Sequence, residues 1–171
     1  MDFKVGDKVV YPNHGVGVIE EVAKRTIGDV SSSFFCLRIL STDSTVMVPV
    51  GNTTVVGLRK VLTKRQVTKV LKTLKEGEVA TYDDWKGRFQ ANSDKMRTGD
   101  IHAVAEVLNS LTILNEIKTL SKRERKMLDR ARFLLISELS EASGKTPEAM
   151  EKQIDTSLED SLKGVQDKVE H

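Results

Sequence analysis

At Thr63 the apolar pattern of this chain changes period, and that change restricts the fold more than any other feature. Upstream, short runs of β-branched and aromatic residues are cut by turn residues, the signature of strands. Lys8-Val9-Val10-Tyr11 stops at Pro12-Asn13-His14-Gly15, and Val16-Gly17-Val18-Ile19 follows with glycines that suit a tightly curved strand. Gly28-Asp29 turns the chain again. Residues 33–40 are the longest apolar and aromatic run, residues 45–50 answer them after Ser41-Thr42-Asp43-Ser44, and Thr54-Val55-Val56-Gly57 is expected to close the set as a fifth strand. Pro49 has no amide hydrogen for a ladder, so its strand is expected at an edge or ends there. Five short strands at this spacing predict a small β-barrel over residues 1–60.

Downstream the spacing is helical. Thr63-Lys64-Arg65-Gln66 is a capping box, in which a hydroxyl and an amide side chain satisfy the orphan amides of a first turn. Val67, Val70, Leu71 and Leu74 then fall on one face. Glu76-Gly77-Glu78 breaks the helix, and the next is expected to start at Thr81 or Asp83, where carboxylates favour an N-terminus. After Gly99-Asp100, the residues Val104, Val107, Leu108, Leu111 and Leu114 form another buried stripe. Ser121-Lys122-Arg123-Glu124 repeats the capping box and opens a helix that stops near Ser143-Gly144. Pro147 suits the first position of a last helix. The predicted class is therefore α+β, an N-terminal barrel followed over residues 61–171 by an all-α bundle.

The net charge of +2 conceals an uneven distribution. Residues 64–132 carry 16 Lys/Arg against 10 Asp/Glu, whereas residues 133–171 carry 4 against 9. A basic middle is compatible with a polyanion partner and equally with a solvated helical surface. Residues 1–60 are nearly balanced, with 7 Lys/Arg against 6 Asp/Glu, which favours a protein partner for the barrel. An RNA-binding barrel, as in a ribosome- or repair-associated factor, would carry basic and aromatic residues on its strands.

Chemistry is absent. The three histidines, His14, His102 and His171, belong to no nucleophile–base motif. Asp83 and Asp84 are adjacent and diverge by roughly 100° on a helix, which suits capping and not acid–base work. No phosphate loop, metal spacing or nucleotide fingerprint occurs. The single Cys36 has no thiol to pair with and is expected as a small apolar residue in a strand. Catalytic residues, metals and cofactors are thus expected to be none. With no apolar run near the ~20 residues that span a bilayer, and no secretory pattern in Met1-Asp2-Phe3-Lys4, a cytoplasmic protein is expected.

Trp85, the sole tryptophan, lies in Thr81-Tyr82-Asp83-Asp84-Trp85-Lys86-Gly87-Arg88-Phe89. It reads either as a core anchor at a helix start or as a ring placed between cations for stacking on nucleic acid. The residues alone leave both open.

The opening Phe3-Lys4-Val5-Gly6-Asp7-Lys8-Val9-Val10-Tyr11-Pro12-Asn13-His14-Gly15-Val16-Gly17 resembles the CarD-like bacterial transcription regulators, whose N-terminal domain is related to that of transcription-repair coupling factor. The likeness continues through Arg25-Thr26-Ile27, Val48-Pro49, Val56-Gly57-Leu58-Arg59, Trp85-Lys86-Gly87-Arg88-Phe89, Thr98-Gly99-Asp100, Ala105-Glu106-Val107-Leu108 and Arg125-Lys126-Met127-Leu128. It implies a Tudor-like (SH3-like) barrel that binds the β subunit of RNA polymerase, and helices that meet promoter DNA at the upstream edge of the bubble, stabilising the open complex. On this likeness Trp85 is a minor-groove wedge, and Lys86, Arg88 and Arg125 contact DNA. Lys122, Arg123 and Lys126 are their basic neighbours. Arg25, Val46, Met47, Val48 and Pro49 face the polymerase, with Met47 standing where some members carry arginine. A monomer in the bacterial cytoplasm, associated with the nucleoid and without membrane contact, completes the expectation.

Overall fold

The computed structural model describes residues 3–12, 14–76 and 85–170, without the side chains of Trp85 and residues 165–170. The chain divides into two compact units, Met1–Val61 and Leu62–His171. The first is a five-stranded antiparallel sheet of β1 (Lys8–Tyr11), β2 (Gly15–Ile27), β3 (Val30–Ile39), β4 (Thr45–Pro49) and β5 (Arg59–Lys60) in the order β4-β3-β2-β1-β5. β4 is an edge strand, as the proline predicts.

β2 and β3 pair from Gly17 with Ile39 to Ile27 with Val30, so the hairpin runs well past the apolar stretches. Gly28 turns it with a φ of 63° at the first of two loop positions, a conformation costly for side-chain-bearing residues. Gly17 is tight for a different reason. A Cβ there would stand 3.1 Å from the Arg38 carbonyl oxygen and 3.3 Å from Ile39 Cδ1, so a side chain fits only if β3 gives by a few tenths of an ångström. Phe3, Val9, Ile19, Phe35, Leu37, Val48 and Leu58 form the core of this unit.

The expected strand over residues 54–57 is instead α1 (Thr53–Val56). Gly57 follows in the left-handed region, with φ 77°, and its amide and that of Leu58 donate back to the Thr54 and Thr53 carbonyls. This turn delivers Leu58 into the core and leaves Val55 outside. Local β-propensity is overridden by the need to seat that leucine.

The second unit comprises α2 (Lys64–Lys75), α3 (Trp85–Arg97), α4 (Ile101–Ile117), α5 (Lys122–Ser143) and α6 (Pro147–Glu170). The expected starts of α3 at Thr81 or Asp83 lie outside the described residues. Both capping boxes form: Thr63 accepts from the Gln66 amide, and Ser121 from that of Glu124, while each third-position side chain reaches back. Gly144 ends α5 in the left-handed conformation. Val67, Val70 and Leu74 of α2, the α4 stripe, Ala131, Leu135 and Leu139 of α5, and Met150, Ile154 and Leu158 of α6 share one core. A β unit followed by an all-helical unit is the expected α+β class. Among the described residues no helix is long and apolar enough to cross a membrane, and none of their His, Cys, Asp and Glu side chains cluster as a metal site.

Candidate functional site

The helical unit brings two helix starts together through one ion pair. Arg88, in the first turn of α3, donates from Nε to Glu124 Oε2 at 2.7 Å and from Nη2 to Oε1 at 3.0 Å. The partners lie 36 residues apart in sequence. Arg88 is 11% exposed and Glu124 1%, so this is a buried, forked pair and not a surface contact. Glu124 also closes the α5 capping box, accepting from the Ser121 hydroxyl at 3.1 Å. Burial pushes its carboxyl up, but the hydrogen bonds and charge of Arg88, helped by Ser121, outweigh that and hold it below the ordinary carboxylate value.

Around this joint the remaining expected cations face solvent. Lys86 is exposed on α3, and Lys122, Arg123, Arg125 and Lys126 are exposed on the first turns of α5. Among the described residues none of the four on α5 has an ion-pair partner. The geometry therefore separates residues that the sequence groups: the Arg88 guanidinium is bonded to Glu124, whereas the charged groups of its neighbours are exposed to solvent. Trp85 begins α3, and its side chain is outside the described residues. In sequence Glu124 reads only as a helix cap, the third position of the box opened by Ser121. Its only signal was a lone carboxylate inside Lys122-Arg123-Glu124-Arg125-Lys126.

The expected protein-facing strand is likewise divided by its pleat. Val48 is 1% exposed in the β core and Val46 packs against the same core, so neither side chain is offered outward. Met47, 39% exposed, projects from the other face, in register with Cys36 and Glu21. Pro49 pairs with Phe34 and Phe34 with Ala23, making a partly exposed apolar row on that outer face. Arg25 is exposed farther along β2. Burial, followed by the nearby Glu21, raises the Cys36 thiol above its usual value, consistent with a packing role.

Residues 3–62 match the CarD-like/TRCF RID domain and residues 69–155 match the CarD C-terminal domain. A candidate transcription factor, YdeB of Bacillus subtilis (strain 168), is 34% identical over 152 residues, covering 89% of this chain and 97% of that protein. The solution NMR structure of the 72-residue N-terminal domain of Myxococcus xanthus CarD shares 34% identity over 34% of this chain and 79% of that one, with a TM-score of 0.30. The CarD-like family consists of transcription factors, not enzymes. With both of its units matched and a relative aligned along most of its length, the chain belongs to the CarD-like family of transcription regulators.

Proposed function

We propose that this protein bridges RNA polymerase and promoter DNA in the bacterial cytoplasm, the β unit binding the polymerase β subunit and the helical unit the duplex at the upstream edge of the bubble. The convergence of the α3 and α5 starts carries the reading. It surrounds one joint with the exposed cations Lys86, Lys122, Arg123, Arg125 and Lys126, next to the only tryptophan. Phosphate contacts from such cations fix register, and an inserted ring offsets part of an unstacking cost of a few kcal/mol per base step. Trp85 is the wedge in this account, and its effect is a longer-lived open complex.

For the β unit, the edge strand β4 offers backbone groups for strand addition, while Met47 and Pro49 supply side chains. Arg25 adds a charge on the neighbouring hairpin. The near-neutral composition of this unit and its family description, which it shares with transcription-repair coupling factor, support a polymerase partner.

Two full-chain variants test the division. Met47→Glu is expected to weaken capture of purified RNA polymerase while duplex binding stays at the wild-type level. Arg125→Ala is expected to leave polymerase capture intact and lower the slope of log affinity against log salt by ~0.9 on duplex DNA. Reversed effects, or none in both variants, would overturn the assignment.

A further inference from the structure

One carboxylate serves both helix starts at the basic joint. Glu124 Oε1 accepts from the Ser121 hydroxyl as a cap and from Arg88 Nη2, and its Oε2 accepts from Arg88 Nε. A cap alone does not require a charge. Gln66 performs the same function at the start of α2 with a neutral amide. A carboxylate amid Lys122, Arg123, Arg125 and Lys126 also reduces attraction for a polyanion, so electrostatic affinity does not explain it. What the charge provides is a planar partner for a planar guanidinium, and the forked geometry fixes direction as well as distance between α3 and α5. Buried pairs of this kind contribute little net stability when intact, because desolvating both ions offsets their attraction.

We propose that Glu124 is a positioning residue for DNA binding: through Arg88 it holds the Trp85-bearing start of α3 against the start of α5, so that cations from both helices meet one duplex. The inference rests on the DNA reading above and deepens it by naming the group that sets the geometry. Arg88 is then part of the frame, and Lys86 and Arg125 are among the groups the frame aims.

The test is Glu124→Gln in the full chain. Glutamine keeps an acceptor for Ser121 and hence the cap, but it turns an amide N–H toward one Arg88 donor. Trp85 is the sole tryptophan, so its emission and its quenching by acrylamide report the start of α3 without any label. The expected result is altered Trp85 quenching in the absence of DNA, together with at least tenfold weaker duplex binding at a temperature where the variant is folded. Arg88→Lys, which keeps the charge and loses the fork, is expected to show the same two changes and serves if the glutamine variant does not fold. Wild-type quenching and wild-type affinity would overturn the proposal, leaving Glu124 as a cap alone. Tighter binding with a salt slope steeper by ~0.9 would also overturn it, because Glu124 would then be masking Arg88 from a phosphate. Failure of the wild-type protein to bind duplex DNA would refute the DNA reading itself. Unchanged quenching in the variants refutes the joint even where the wild type binds.

Discussion

Replacing Arg88 by alanine distinguishes a structural guanidinium from a phosphate contact, and the two give different magnitudes. In the folded chain Arg88 satisfies both oxygens of a carboxylate that is 1% exposed. Removing it leaves Glu124 with the Ser121 groups and no opposite charge. Breaking a buried pair from one side costs about 3–5 kcal/mol. A solvent-facing arginine removed from a helix surface changes stability by about 0.5 kcal/mol or less. At about 4 °C per kcal/mol for a unit of this size, the loss is a fall of about 12–20 °C in the melting temperature of the helical unit. Far-UV circular dichroism and urea titration of the full chain measure it, and the β unit, which does not contain the pair, is expected to keep its own transition. Replacing both partners by methionine is expected to recover most of the lost stability, since an apolar pair of similar volume removes the stranded charge. If Arg88→Ala melts within 1 kcal/mol of wild type while the salt slope on duplex DNA falls by ~0.9, the pair is not what holds Arg88, and the reasoning fails.

Two further expectations follow from the same geometry and from the sheet. Because Glu124 is held below the ordinary carboxylate value, its contribution to stability is complete above the unfolded value of about 4.3 and is lost as pH falls through the lower folded value. Acid titration of the helical unit should therefore be shallower over that window in Glu124→Gln than in the wild type, and identical curves would contradict the shift. Gly17→Ala introduces a Cβ 3.1 Å from the Arg38 carbonyl, so it should destabilise the β unit by ~1–3 kcal/mol in thermal melting and leave the helical unit unchanged. An unaltered β transition would show that the Arg38 carbonyl and Ile39 yield to the added methyl without cost.

Features written in a few adjacent residues were legible before the structure. The capping boxes at Thr63 and Ser121 depend on a side chain meeting an amide three residues on, and Gly144 and Pro147 act through their own backbone limits. Pro49 marked an edge because it lacks a donor. Features that depend on a distant partner were not legible. Residues 20–27 of β2 are mostly polar, so nothing local distinguishes them from a loop; β3 supplies their ladder. Thr53-Thr54-Val55-Val56 has the composition of a strand and folds as a turn of helix, because Gly57 and the burial of Leu58 decide the path. In the candidate site, the cations around Trp85 and Ser121 were visible as charge, but charge does not reveal which arginine is already paired. Arg88 and Arg125 read alike in sequence and occupy opposite environments in the fold. Period-two pleating likewise separates Met47 from Val48, although both were expected at one interface.

The lifetime of the promoter open complex tests the central claim most directly. Purified RNA polymerase and promoter DNA are mixed with the full chain, and decay of heparin-resistant complexes is followed with wild-type protein, with Trp85→Ala and with none. Wild type is expected to slow the decay. Trp85→Ala, melting within about 1 kcal/mol of wild type and still captured by the polymerase, is expected to return the decay close to the rate without protein. Equal decay with and without the wild-type chain would contradict the proposed function, and a Trp85→Ala variant that protects the complex as well as wild type would contradict the wedge.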